Sequence, residues 1–344
     1  MHERRGASGW TLARRALLWG LSVVVLLVGI GLAKEERARR TARAAFPPPG
    51  RLVSVGTHRL HLHCVGEGRP TVIFESDLDA LGSLSWTLVH ADVAAETRAC
   101  VYDRAGVMWS DPGPGVSDAE RIAEGLRELM RRAGERAPFL LVGHGVGGAY
   151  VRVFAGRYPD FVAGVVLVES AHPDQVARLG TGIGSDSEPP VWMRPIAAAA
   201  SRLGLSRRMR SPKPGAMPKE VYDAQHAFLP ISSLAWFDER RQRARSLQQA
   251  GAVTHLGAIP LTVVSVRPRT DQGRPVAGLS AEESRRVRAS WLSLQEELTR
   301  LSQESAHVIL GEEAGHYPQF GRPREVSKAI LETLRRIRAD DPPT

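Results

Sequence analysis

The chain has 344 residues, of which 43% are hydrophobic and 24% are charged, and this composition supports a sizeable buried core. Its formal net charge is +9, but residues 1–46 alone hold nine Lys and Arg against three Glu, so most of the excess belongs to the amino-terminal segment. No nucleic-acid-binding motif accompanies these charges, and we expect no nucleic-acid partner.

The first predicted element is an apolar run over residues 16–33, preceded by a basic tail over residues 1–15. At about 1.5 Å per residue the run is roughly 27 Å long, enough to cross a bilayer core. The alternative is a signal peptide cleaved after Ala33, because Gly31 and Ala33 are small residues at suitable positions. The run exceeds the usual signal-peptide core of about 7–15 residues, which favours an uncleaved anchor. Basic residues flank both ends, so the charges do not settle its orientation.

A charged and then proline-rich stretch follows over residues 34–50, ending in Pro47-Pro48-Pro49-Gly50. Such a composition is typical of a semi-rigid spacer. We therefore predict a linker here, between the anchor and one domain over residues 51–344.

Within that domain, short apolar runs alternate with helical patterns, which predicts a mostly parallel sheet covered by helices. The predicted strands cover residues 52–55, 59–65, 71–75, 98–102, 138–142, 163–168, 260–266 and 306–310. The predicted helices lie near residues 84–95, 118–133, 146–157, 282–302 and 323–338. A long insert over about residues 172–255 separates the sixth and seventh strands, and we interpret it as a cap.

A glycine-rich turn follows the fifth predicted strand, in the sequence Gly143-His144-Gly145-Val146-Gly147. An apolar strand before it and a helical pattern after it are the context of a nucleophile elbow, G-x-S-x-G. In that motif the central residue adopts a strained backbone and presents its side chain above the sheet. Here the central residue is Gly145, which tolerates the strained backbone but has no side chain to present.

Further motifs occur in a fixed order around this turn: Val101-Tyr102-Asp103-Arg104-Ala105-Gly106, Trp109-Ser110, Arg157-Tyr158-Pro159-Asp160, Val165-Val166-Leu167-Val168-Glu169 and Gly315-His316-Tyr317. With them, the chain from about Pro47 to Ile337 resembles the α/β-hydrolase family, especially a bacterial branch with an amino-terminal membrane anchor. The resemblance implies an α/β fold: a mostly parallel eight-stranded sheet flanked by helices, with a helical cap inserted after the sixth strand.

The family orders its catalytic triad as nucleophile, acid and histidine. His316 follows the last predicted strand and fits the histidine. The acid has two candidates: Glu169 ends the sixth predicted strand, and Asp271 lies beyond the seventh. We favour Glu169, because a strand end holds a carboxylate rigidly.

The same resemblance implies an oxyanion hole formed by the backbone N–H of Val146 and by one just after the third strand, at Leu78. Asp77 and His144 are expected to line the substrate pocket. Family members usually have glycine where Asp77 and Asp79 stand, and Val107-Met108 is a milder departure. These departures border the expected site while the scaffold motifs remain, a pattern typical of a lost or altered activity.

Three functions stay open. The first is a non-catalytic protein that binds a small apolar ligand; restoring the serine in Gly145→Ser would then restore ester hydrolysis. The second is a hydrolase of small apolar esters that uses water activated by His316, or Ser76 or Ser170 as a substitute nucleophile. The third is a membrane-tethered interaction module. We expect no metal and no cofactor.

The two cysteines, Cys64 and Cys100, fall on the second and fourth predicted strands. The resemblance makes these strands neighbours, so a cross-strand disulfide and two free thiols are both open. An extracytoplasmic domain, which we expect for this chain, would favour the disulfide.

Overall fold

The computed structural model of the chain describes residues 6–115, 117–179, 188–209, 213, 216–267 and 280–340. Its first element is one 40-residue helix, α1, from Gly6 to Ala45. This helix is long and apolar enough to cross a membrane, and its most apolar 18-residue window is fully exposed.

The linker predicted over residues 34–50 is corrected, because α1 continues through most of it. Glu35–Arg39 and Glu36–Arg40 ion pairs, each at 2.9 Å, bridge successive turns and favour continued helix. The helix ends at Ala45, just before the three prolines, which cannot continue it. Only residues 46–50 therefore lie outside helix and strand between α1 and the first strand at Arg51.

Eight strands form a single sheet in the order β1-β2-β4-β3-β5-β6-β7-β8. Their bounds are β1 Arg51–Ser54, β2 Arg59–Val65, β3 Thr71–Glu75, β4 Ala99–Tyr102, β5 Phe139–His144, β6 Val162–Val168, β7 Leu261–Val266 and β8 Ser305–Leu310. The pairings of β2 with β1 and with β4 are antiparallel, and the remaining pairings are parallel. The predicted fold class is confirmed.

Helices cover both faces of the sheet. Leu141 on β5 belongs to the cluster beneath α3 and α4, whereas its neighbours Leu140 and Val142 belong to the cluster beneath α2 and α11. Both faces are thus buried, which explains why the central strands are continuous apolar runs. The helices named here are α2 Thr87–Ala94, α3 Ala119–Ala133, α4 Val146–Arg157 and α11 Pro323–Asp340.

Between β6 and β7, where the sequence predicts a cap, the described residues form four α-helices. They are α5 Gln175–Leu179, α6 Met193–Arg202, α7 Lys219–Arg241 and α8 Arg243–Ala252. The long helix α7 packs against both α6 and α1. After β7 come α9 Ala281–Leu298 and, beyond β8, the short α10 Pro318–Gly321.

A disulfide joins β2 to β4. Cys64 and Cys100 are directly opposite each other in the antiparallel pair, with Cα atoms 4.0 Å apart, and their sulfurs are bonded. The bond resolves the alternative that the sequence left open. It fixes the antiparallel edge to the parallel body of the sheet.

We expect reduction of this disulfide to destabilise the domain. Because the bond closes a loop between residues 36 apart, its loss should lower the free energy of unfolding by about 3–4 kcal/mol. Urea unfolding of the detergent-solubilised chain, with and without reductant, measures the difference. A Cys64→Ala/Cys100→Ala double variant is the control, since reductant should not change its unfolding curve; identical curves for the oxidised and reduced parent would contradict the prediction.

Candidate active site

The turn between β5 and α4 has the strand–turn–helix form that the sequence predicts. Gly145 adopts φ 55° and ψ −126°, a conformation that residues with a side chain rarely take. The flanking glycines are required by close backbone approaches: a Cβ atom at Gly147 would lie 2.4 Å from the carbonyl oxygen of Ser76. The helix α4 therefore begins unusually close to the loop that follows β3.

The carboxylate of Asp77 occupies the space above Gly145. A Cβ atom at Gly145 would lie 2.2 Å from both Cγ and Oδ1 of Asp77. The backbone N–H of Val146, the predicted oxyanion-hole donor, donates to Asp77 Oδ1 at 2.7 Å. An internal carboxylate thus stands where an elbow side chain would project, and it already engages the oxyanion donor.

His316 lies on the other side of this carboxylate. Its Nε2 is 3.5 Å from Asp77 Oδ2, and its side chain is 54% exposed. Desolvation alone would lower the pKa of His316, but the hydrogen bond and charge of Asp77 outweigh it and raise the pKa above its ordinary value. Burial would raise the pKa of Asp77, yet its bond to His316, nearby histidine charge and Val146 N–H hold that pKa well below its usual range. The opposite directions of these two pKa shifts favour the charged forms of both Asp77 and His316.

His144, which the sequence places in a substrate pocket, is instead completely buried. Desolvation lowers its pKa to about 4, so the ring is neutral. Its Nε2 lies 2.7 Å from the carbonyl oxygen of His316, and its Nδ1 lies 3.2 Å from the amide nitrogen of Gln319. His144 therefore supports the loop that carries His316.

The two hydrogen bonds of the His144 ring also limit its availability as a metal ligand. Ligand atoms of Asp77, His144 and His316 lie within 4.8 Å of one another. Since both ring nitrogens of His144 already bond to protein groups, only Asp77 and His316 offer a ligand atom without breaking the loop support. The contacts of His144 therefore favour a hydrogen-bonded cluster over a three-ligand metal site.

Glu169, the favoured triad acid, follows β6 with φ 44°. It accepts hydrogen bonds from Val266 N–H at 2.7 Å and from Trp291 Nε1 at 3.1 Å. Burial raises its pKa to about 7, and the charge of nearby His316 acts against this increase. Glu169 is thus close enough to His316 to act electrostatically, while its described hydrogen bonds go to other partners. The alternative acid, Asp271, lies outside the described residues.

The remaining predicted site residues are Ser76, Ser170 and Leu78, whose contacts are with other parts of the protein. Ser76 Oγ accepts from Arg104 at 3.0 Å, and Ser170 Oγ donates to the carbonyl of Ala171 at 3.3 Å. Both serines are buried, and neither hydroxyl bonds to a histidine among the described residues, so the geometry disfavours them as substitute nucleophiles. Leu78 packs half-buried against the core, and its role as a second oxyanion donor stays a prediction.

A buried arginine holds the loop that carries Asp77. Arg104 donates bidentate hydrogen bonds to Glu239, at 2.8 and 2.9 Å, and one hydrogen bond to Glu75 at 2.6 Å. The same guanidinium donates to the carbonyl oxygens of Ser76 and Asp77, each at 2.8 Å. Sequence patterns do not single out Glu75 or Glu239 as partners of Arg104, although a glutamate at the end of the apolar strand β3 is a signal for the first.

Asp79 is a second carboxylate on this loop, and its environment disfavours the ionised form. Burial raises the pKa of Asp79 to about 7, and the charge of Asp77 adds to the increase. One of its oxygens accepts from Leu81 N–H at 2.9 Å. Neighbouring carboxylates with pKa values pushed apart are typical of sites that perform acid–base chemistry.

Comparisons with known proteins agree with this architecture. An uncharacterized protein of Schizosaccharomyces pombe is 24% identical over 301 residues, covering 79% of this chain and 53% of that protein. An uncharacterized vacuolar membrane protein of Saccharomyces cerevisiae is 33% identical over 141 residues, covering 36% of this chain and 22% of that protein. The chain therefore spans about half or less of the length of these relatives.

Solved structures of hydrolases share the fold. A putative epoxide hydrolase from Pseudomonas aeruginosa superposes with a TM-score of 0.63 at 17% identity, covering 85% of this chain and 98% of that one. A thermophilic esterase from Thermogutta terrifontis gives a TM-score of 0.57 at 19% identity, covering 83% and 98%. The sequence profile of the alpha/beta hydrolase family matches residues 60–329. The chain belongs to the alpha/beta hydrolase family.

Proposed function

We propose that this protein is a hydrolase whose nucleophile is the carboxylate of Asp77, with no serine at the elbow. The observation that carries the proposal is the position of that carboxylate above Gly145, between Val146 N–H and His316 Nε2. Gly145 stands where the family places its nucleophile, and its missing side chain leaves room for Asp77. The low pKa of Asp77 keeps it ionised, as a nucleophile must be.

The substrate class follows from what a carboxylate can attack productively. Attack on an ester carbonyl would give a mixed anhydride, and the negative carboxylate beside Val146 N–H would repel the developing oxyanion. Attack of Asp77 Oδ2 on a strained saturated carbon, as in an epoxide, instead breaks a carbon–oxygen bond and gives a stable alkyl ester. Small apolar epoxides are therefore the proposed substrates. Three of the structural neighbours are named as epoxide hydrolases, one of them as a putative one, which supports this choice by analogy of fold.

The second half of the reaction hydrolyses that ester. His316 removes a proton from water, the water oxygen attacks Cγ of Asp77, and Oδ1 becomes the oxyanion. Val146 N–H, already 2.7 Å from Oδ1, stabilises that charge. Collapse then expels the product as an alkoxide, which takes the proton held by His316, and the new carboxylic acid of Asp77 loses its proton to solvent to regenerate the carboxylate.

The oxygen released from the opened epoxide needs a proton. We assign this proton to Tyr317, whose ring packs against that of His316 with centroids 5.2 Å apart. Burial and the charges of Asp79 and Asp77 raise the pKa of Tyr317 above its ordinary value, so the phenol keeps its proton at neutral pH. Proton uptake from solvent restores it, and the net reaction adds one water to the epoxide.

A catalytically silent protein that binds a small apolar ligand is the second candidate. It is favoured because the polar groups of the site already have partners within the protein. Asp77 pairs with His316, and Glu169 accepts hydrogen bonds from Val266 and Trp291. Turnover of an epoxide that depends on Asp77 would exclude this candidate.

We also propose that α1 is an uncleaved anchor and that the domain lies outside the cytoplasm. The helix runs unbroken past Ala33 to Ala45 and packs against α7, which a cleaved signal peptide would not need to do. The Cys64–Cys100 disulfide favours an oxidising compartment. An intact mass of the membrane-extracted protein that lacks residues 1–33 would contradict the anchor.

Restoring the elbow serine alone should fail. In Gly145→Ser the new Cβ meets Asp77 and the backbone is strained, so we expect no ester hydrolysis and a loss of about 1–2 kcal/mol in unfolding free energy from the backbone alone. The double variant Asp77→Gly/Gly145→Ser removes the obstruction and should gain nitrophenyl-ester turnover. Gly145→Ala is the matched control, with the same Cβ and no hydroxyl. A single Gly145→Ser variant as active as the double one would show that Asp77 does not block the site.

Asp77→Asn should abolish epoxide hydrolysis, whereas Asp160→Asn, the same change at an exposed position, should leave it intact. In a single turnover of the parent in ¹⁸O-labelled water, the label should enter the Asp77 carboxylate and not the first product. Peptide mass spectrometry locates it. His316→Gln should halt the reaction at the ester, raising the protein mass by one substrate. Label found directly in the first product would instead indicate attack by activated water.

The pH dependence should follow His316. Because its pKa is raised above 6.5 in the free protein, His316 is protonated and paired with Asp77 at lower pH, which weakens the nucleophile. We expect kcat/KM to rise with pH through a value above 6.5. In the ester intermediate Asp77 is uncharged, so kcat should rise at lower pH than kcat/KM does. If the pH profiles of kcat and kcat/KM coincide, the pairing of Asp77 with His316 is not the cause of the pH dependence.

A further inference from the structure

Exposed apolar side chains gather on one part of the surface outside α1. Over the described residues, nine large apolar side chains outside α1 are exposed, and six of them fall between residues 191 and 209. They are Val191, Trp192, Met193, Ile196, Leu205 and Met209. Trp192 and Ile196 are 67% and 56% exposed and one helical turn apart, so they share a face. Such a concentration is unusual on a surface that meets only water.

This 191–209 surface is fixed against α1 near the end of its apolar run. A Cβ atom at Gly31 would lie 3.2 Å from the side chain of Leu203, so the helix and the surface segment touch there. Four residues further along α1, the buried carboxylate of Glu35 pairs with Arg207 at 2.7 Å. Arg39 then donates to the carbonyl oxygen and hydroxyl of Ser201, each at 3.0 Å.

These contacts set the height of the surface along the helix. The stretch from Gly31 to Arg39 covers about 12 Å at the helical rise of roughly 1.5 Å per residue. The uncharged run ends at Ala33, so the contacts begin just inside the apolar segment and end just beyond it. If α1 crosses a bilayer through residues 16–33, this height is the headgroup layer.

The charges around the surface suit the same layer. Lys34, Arg37, Arg202 and Arg208 are exposed near it, and basic side chains at this depth favour anionic lipid headgroups. The exposed acid on this part of α1, Glu36, is paired with Arg40. Trp192 is of the residue type enriched where a protein meets the headgroup region.

We propose that the 191–209 surface rests in the headgroup layer of the bilayer that α1 crosses, with its apolar side chains inserted and its basic side chains on anionic lipids. The domain then contacts the membrane at two places, α1 and this surface. The inference rests on α1 spanning the membrane and is independent of the chemistry of Asp77.

Spin labels on the full-length chain test it. The native disulfide is retained, and one cysteine is introduced at a time in Trp192→Cys, Ile196→Cys, Val25→Cys or Ile309→Cys for nitroxide labelling. Val25 reports the apolar run of α1. Ile309 on β8 is the matched control, because it is an exposed isoleucine outside the 191–209 surface. Each protein is reconstituted in nanodiscs of phosphatidylcholine and phosphatidylglycerol, and its accessibility to oxygen and to a water-soluble nickel chelate is measured.

We expect labels at 192 and 196 to favour oxygen over the nickel chelate several-fold more than the label at 309, approaching the label at 25. Labels at 192 and 196 that behave like 309, while 25 lies in lipid, would overturn the inference and leave the anchor standing. A label at 25 that is open to the nickel chelate would overturn both. Neither result changes the tests of Asp77, so the two proposals fail separately.

Discussion

The buried guanidinium of Arg104 is the interaction on which the site depends. It joins the end of β3 through Glu75, the loop after β3 through two carbonyl oxygens, and the helix α7 through Glu239. Desolvation of the guanidinium opposes its charge, but the two carboxylates outweigh this and raise its pKa well above the ordinary value. Removing one partner of such a group would leave an uncompensated buried charge, at a cost of about 3–5 kcal/mol. The value of the group is that it fixes the backbone of Asp77.

The structural roles of Gly145 and Asp77 depend on each other. A side chain at position 145 would collide with the carboxylate, and a glycine at position 77 would leave the elbow empty. Taken singly, each residue looks like the loss of a catalytic feature, one of the nucleophile and the other of the oxyanion loop. Their joint geometry puts a carboxylate where an elbow side chain would project, between the backbone N–H of Val146 and the imidazole of His316.

The sequence predicts the sheet and its flanking helices well because these elements follow from local patterns of apolar and turn residues. Apolar runs bounded by turns locate all eight strands, and β5 extends beyond its predicted end only because it includes the first residues of the elbow. The charged residues after Ala33 continue α1 because Glu35 pairs with Arg39 along the helix and with Arg207, which lies between α6 and α7. The position of Asp77 could not be predicted, since it depends on Arg104 and Glu239, which are 135 residues apart in the chain.

The apolar helix α1 is also connected to the candidate site through its contacts with α7. Arg39 on α1 donates to the carbonyl oxygen of Pro230 in α7 at 3.1 Å, and the same helix carries Glu239 to Arg104 nine residues later. The end of α1 is held by Trp109, whose indole donates to the carbonyl oxygen of Phe46 at 2.9 Å. Because packed helices shift as rigid bodies, a displacement of α1 would be transmitted through α7 to Arg104 and so to the Asp77 loop. The helix α1 is therefore part of the framework that positions this loop.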